Sequence, residues 1–226
     1  MYFDSYYLIL VVPTLILSMF AQILVKSTFS KYSQIRCSRN MTGRDAALLL
    51  MKSNSIGDVA VEPVGGSLTD HYDPRTKKLR LSEPVYAQPS IAAVGVAAHE
   101  TGHAIQHARG YGPLALRSTL VPVANIGSSM GPWLAIAGIF FTLPFLTNIG
   151  LLLFGAAVIF YVITLPVEFN ASARALAILQ SGNVLTQEEL NGVKKVLTAA
   201  ALTYVASALT AIMSFLRLLL LSRRRR

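Results

Sequence analysis

The chain alternates between long uncharged apolar runs and two polar regions. Residues 6–25 carry no charge, and a second apolar run covers 121–145, where Pro122, Pro132 and Pro144 bend or bound it. A third, 149–167, is almost purely aliphatic and aromatic; a fourth, 198–221, holds only Arg217. A bilayer span needs about 20 mostly apolar residues, so each run predicts a crossing helix. Arg217 is placed where its side chain would snorkel outward. The second and third runs are joined by Leu146-Thr147-Asn148 and form a tight antiparallel hairpin. One such run could be the buried helix of a globular core. Four of them leave too little polar sequence to cover them. The first run is expected to be a retained anchor, because only Asp4 is charged before it and it exceeds a signal-peptide core in length.

The larger polar region shows shorter periods. Thr42 to Ser53 reads as a helix. Residues 59–64 alternate as a strand does, and Gly65-Gly66 breaks the pattern. Residues 68–72 and 79–81 flank Asp73-Pro74, where proline as the second turn residue predicts a hairpin and, with the first strand, a small antiparallel sheet. Ser90 caps a helix over 91–109 that stops at Gly110. The smaller polar region opens a helix at 168–180 and carries Thr186-Gln187-Glu188-Glu189, a capping pattern. The expected division is an anchor at 1–25, a polar catalytic region at 26–120, a transmembrane hairpin at 121–167, a helical segment at 168–198, and a crossing or interfacial helix with a basic tail at 199–226.

Composition supports the membrane reading. Hydrophobic residues make up 53% and charged residues 14%, against about 25% charged in soluble domains. A net charge of +9 raises the question of nucleic acid. There is, however, no phosphate loop, no finger spacing and no basic helix with interleaved aromatics. The basic residues flank the apolar runs instead, as at Lys26, Lys31, Arg36, Arg39 and the terminal Arg223 to Arg226. Anionic headgroups and membrane insertion select that placement. The expected partners are therefore membrane lipid and a peptide or protein substrate, not nucleic acid. Cys37 is the only cysteine, which rules out an internal disulfide and a cysteine-based metal site.

Three of the four histidines, His99, His103 and His107, lie on the capped helix. Helical positions four apart share a face about 6 Å apart. His99 and His103 can therefore present two imidazoles to one zinc ion. Glu100 is rotated by about 100°, near enough to act as general base toward a water the metal acidifies. Small neighbours, Ala97, Ala98, Gly102 and Ala104, leave room. A catalytic zinc usually takes a third protein ligand. His107 continues the series but lies about 6 Å beyond His103, too far along a straight helix to converge easily. Glu168 is the better candidate, since a carboxylate at the end of an apolar span is costly without a partner. The intervening hairpin returns the chain to the side it left, so Glu168 and His99 share a membrane face.

The run Gly66-Ser67-Leu68-Thr69-Asp70-His71-Tyr72-Asp73-Pro74, then Leu79-Arg80-Leu81-Ser82, then Ala92 through His107, resembles the YugP-type bacterial membrane zinc metallopeptidases. The likeness extends to Leu165-Pro166-Val167-Glu168-Phe169-Asn170-Ala171-Ser172. That family is similar in plan to the HtpX-like proteases. The resemblance implies His99, His103 and Glu168 as ligands of one zinc ion, Glu100 as catalytic base, and a peptidase acting on membrane-associated or misfolded proteins. It implies a mainly α fold, with about four transmembrane helices and a small α+β zincin-like region. One departure stands out: HtpX-like proteins place an aspartate four residues after the ligand glutamate, and here that position is Ser172. The group orienting a histidine must come from elsewhere, with Asp70, Asn170 or Ser172 as candidates. His71 or Tyr72 is a candidate oxyanion donor, and the strand beside them a candidate edge for an extended peptide.

Lysines and arginines near the span ends are more numerous on the catalytic side, which predicts a cytoplasmic active site. The competing expectations are a non-catalytic scaffold or chaperone that keeps zinc for structure, and a channel. No ionisable residue falls mid-span to line an ion path.

Overall fold

In a computed structural model, residues 4–224 are described; Arg225 and Arg226 of the basic tail lie outside them. The element order is α1 (Val12–Ser33), α2 (Gly43–Ser53), β1 (Ala60–Val64), β2 (His71–Asp73), β3 (Lys78–Ser82), α3 (Glu83–Ala87), α4 (Ile91–Ala108), α5 (Gly112–Phe140), α6 (Pro144–Ser181) and α7 (Gln187–Arg224). A π-helical turn, Tyr7–Val11, leads into α1. The fold is mainly α with one small sheet. Among the described residues, four helices are long and apolar enough to cross a membrane: Tyr7–Ser33, Gly112–Phe140, Pro144–Ser181 and Gln187–Arg223. The chain divides into two compact units, one of residues 1–22, 113–166 and 202–226, the other of 23–112 and 167–201.

The first unit is held together by small residues. A Cβ on Gly127 would lie 2.2 Å from the Leu153 carbonyl oxygen, one on Gly138 2.4 Å from the Thr147 nitrogen, and one on Gly150 2.3 Å from the Ala135 nitrogen. Without a hydrophobic force between helices in lipid, such close backbone contact is what binds α5 to α6. The turn between them falls at residues 141–143, before the expected Leu146-Thr147-Asn148. Pro144 supplies the reason: its fixed φ and missing N–H suit the first helical position, and Thr142 takes the left-handed conformation with φ 55°. Arg217 is paired within the unit. Its Nη2 lies 2.7 Å from Asp4 Oδ2, and its guanidinium carbon lies 5.0 Å from the Tyr7 ring centroid. A nearby carboxylate offsets the cost of a cation on an otherwise apolar helix.

In the second unit α4 is the central element. Ala92, Val94 and Ala98 pack with Tyr32, Leu50, Leu179 and Val193 on one side. Ala93, Ala97 and Ile105 pack with Met51, Leu79, Leu81 and Val85 on the other. A helix of small and branched apolar residues can be buried nearly all round. Its start is fixed by Ser90, whose Oγ accepts from the Ala93 N–H at 3.2 Å. The sheet is mixed, in the order β1-β3-β2. β2 and β3 form the expected antiparallel hairpin, whereas β1 runs parallel to β3. The strand order explains the difference: β2 takes one edge of β3 through its short turn, and β1 docks on the other edge. The helix expected at 168–180 is the continuation of the third apolar run within α6. Pro166 lies inside that helix without ending it.

Candidate metal centre

Two helices of the second unit meet at Gly102. A Cβ there would sit 2.6 Å from the Ala171 carbonyl oxygen, so glycine lets α4 and α6 approach closely enough for their side chains to share one point. His99 and His103 lie one turn apart on α4, their ring centroids 4.8 Å apart and their planes at 84°. Glu168 on α6 is 1% exposed. Its Oε2 lies 3.2 Å from His99 Nε2 and 3.5 Å from His103 Nε2. One donor atom from each of the three residues falls within 4.8 Å of the others, a spacing that could hold a metal ion. Glu100 is buried beside them.

The far side of each imidazole is occupied. His99 Nδ1 lies 3.0 Å from Ser172 Oγ, and His103 Nδ1 lies 3.0 Å from Gln106 Oε1. Gln106 Nε2 donates to the Val167 carbonyl at 2.8 Å and to Asn170 Oδ1 at 3.0 Å. A carbonyl can only accept, so the amide is oriented with its oxygen toward His103. His103 Nδ1 is then the donor, and Nε2 presents a lone pair to the cluster. Asn170 also accepts from Arg174 Nε at 2.7 Å. Burial opposes a proton on His103, but the Glu168 hydrogen bond and the charges of Glu100 and Glu168 outweigh it and raise the pKa.

Of the orienting groups expected, Ser172 touches His99 directly and Asn170 acts through Gln106. Asp70 does neither: its carboxylate accepts from the Ser82 backbone N–H at 2.7 Å and from the Ser82 hydroxyl. Burial pushes its pKa up against those hydrogen bonds. His107 stands apart from the three-residue cluster. Its Nδ1 lies 2.8 Å from the Tyr72 hydroxyl. Burial first, then the charges of Asp58 and Asp73, push the Tyr72 pKa up to about 12, so the hydroxyl keeps its proton. His71 Nδ1 contacts the Thr69 carbonyl at 2.8 Å. Gln106 was not anticipated from the sequence.

The donor set fits zinc. Two imidazole nitrogens and a carboxylate are a set used in catalytic zinc sites, which keep a position open for water or substrate. Ligand histidines held through their second nitrogen are typical of such sites.

The family described as "Putative neutral zinc metallopeptidase" matches residues 7–223. The chain is 48% identical over 215 residues to "Putative membrane protease YugP" of Bacillus subtilis (strain 168), covering 95% of this chain and 96% of that protein. No solved structure matches.

Proposed function

This chain belongs to the neutral zinc metallopeptidase family, and from that premise we propose that it is an integral membrane endopeptidase using one zinc ion. His99, His103 and Glu168 are its ligands and Glu100 its general base. The observation that carries the reading is the convergence of donors from α4 and α6 on one point within 4.8 Å, with a buried carboxylate one residue after the first histidine. Three protein ligands favour catalysis over structure, since structural zinc sites close with four.

Zinc held there supplies a Lewis acid that acidifies water and polarises the scissile carbonyl. Glu100 accepts the proton of the attacking water and returns it to the departing amine nitrogen, so no net proton is consumed in the cycle. Gln106 and Ser172 hold the imidazoles in place while this happens. The edge of β2 away from β3 receives an extended substrate segment by strand addition. Such recognition reads backbone more than side chains, which suits unfolded segments of membrane proteins and a role in their quality control. The excess of lysine and arginine near the span ends on the catalytic side supports a cytoplasmic location for this chemistry.

Glu100→Gln tests the mechanism. Zinc content should stay at one per chain while cleavage of an unfolded protein falls by about 10²- to 10⁴-fold, the usual contribution of a positioned base. Unchanged cleavage in the purified variant eliminates the assignment. Zinc retained in a wild-type protein that cleaves nothing points to the scaffold reading.

A further inference from the structure

The second unit has a cavity of about 730 Å³ between α1 and α7 that the proposed hydrolysis does not use. Lys31 from α1 and Lys194 and Lys195 from α7 line it, together with Leu24, Asn191 and Thr198. On α1, Leu24 lies near the end of a charge-free run and Lys31 lies two turns beyond Leu24. On α7 the lysines come first and Thr198 opens the apolar run. Each helix therefore changes from polar to apolar along the same cavity. No carboxylate lines it among the described residues.

The two helices cannot close over this space. Tyr32 packs on Gly192, where a Cβ would meet its ring at 2.8 Å. That contact sets the separation and leaves Lys31 flanking the opening, its ammonium 5.8 Å from the Tyr32 ring centroid. Three exposed lysines line this space with no carboxylate among its lining residues, a concentration of positive charge that an anion would offset. An anion with an apolar tail matches both ends of the cavity at once.

We infer that this cavity is a binding site for one anionic phospholipid, its phosphate held by Lys31, Lys194 and Lys195 and an acyl chain laid along Leu24 and the start of the α7 apolar run. Basic pockets between membrane helices take acidic headgroups by this chemistry.

The test uses the full chain in detergent, exchanged into mixed micelles with phosphatidylglycerol or phosphatidylcholine and examined by native mass spectrometry. Wild type should retain one phosphatidylglycerol and prefer it to phosphatidylcholine. With each lysine near a surface charge contributing about a factor of 5, replacing all three by glutamine should weaken retention about 100-fold. The triple arginine variant should restore it. A control with the same charge change elsewhere, Arg39→Gln, Lys52→Gln and Arg75→Gln, should bind as wild type does.

Retention by the glutamine variant overturns the site, and equal loss in the control reduces it to diffuse attraction. Full competition by millimolar glycerol phosphate would show that a free phosphate, not a lipid, is the occupant. A dimer that the lysine changes dissociate, with no lipid bound, would assign the surface to a second copy instead. Either result overturns the inference. None of these readouts depends on zinc or on cleavage.

Discussion

At the metal centre each candidate ligand is held from behind, and the holders decide how well it can bind. Gln106→Leu keeps the size of the side chain but removes the acceptor for His103. Zinc affinity should fall about 10- to 100-fold, measured by competition with a chromogenic chelator. Glu168→Ala should empty the site, whereas His107→Ala should leave zinc content intact; the opposite pattern would make His107 the ligand. On the proposed ligand set, the proton competes with the metal for His103. Because Glu100 and Glu168 raise its pKa in the metal-free protein, zinc release should begin at a higher pH on acidification than an ordinary histidine would give. A Glu100→Gln background should move that onset downward. The meeting of His99 and His103 at one point was legible because two histidines four apart share a helical face. Glu168 was legible because an acid ending an apolar run needs a purpose. Gln106 carried no such sign. Its role exists only because the Val167 carbonyl faces it across the gap between two helices.

Among the elements, local signals read well and pairings read poorly. The Ser90 cap appears where its side chain puts it, and the helix expected from Thr42 starts at Gly43 with Thr42 as its cap. The Thr186 box forms too, and in it Glu189 accepts from the Thr186 N–H at 2.8 Å while also accepting from the Ser38 hydroxyl at 3.1 Å. The hairpin was visible from its turn residues. The parallel alignment of β1 was not, because alternation gives a strand its faces and not its neighbour or direction. The 141–143 turn was misplaced for a similar reason, since an apolar run does not mark where helix yields to turn. The glycine seam offers a direct check. Gly131→Leu drives a side chain toward the Phe154 nitrogen, 2.8 Å from where its Cβ would be. Overpacking costs about 1–3 kcal/mol even where side chains can shift; here backbone is met, so thermal unfolding in detergent should begin several degrees lower. Gly102→Ala should lower both stability and zinc content, because it pushes α4 from α6 at the point where their ligands meet.

For the molecule as a whole, orientation is the expectation that apolar runs and charge counts leave most open to test. Cys37 is the sole cysteine and is buried, so Cys37→Ser gives a background without thiols. An added Ser67→Cys, at an exposed position before β2, should react with a membrane-impermeant maleimide only after permeabilisation if the active site is cytoplasmic. Labelling of intact cells would reverse the topology.

The continuity of α6 has a further consequence for how the protein is made. The same 38-residue helix that begins at Pro144 carries Glu168, and the two histidines are synthesised 69 and 65 positions before that acid. On the proposed ligand set, a chain leaving the ribosome therefore exposes a two-histidine site long before its last donor exists. That donor arrives on a helix that has first to enter the bilayer. If the proposed hydrolysis holds, translation intermediates should be inert, with competence appearing only on integration.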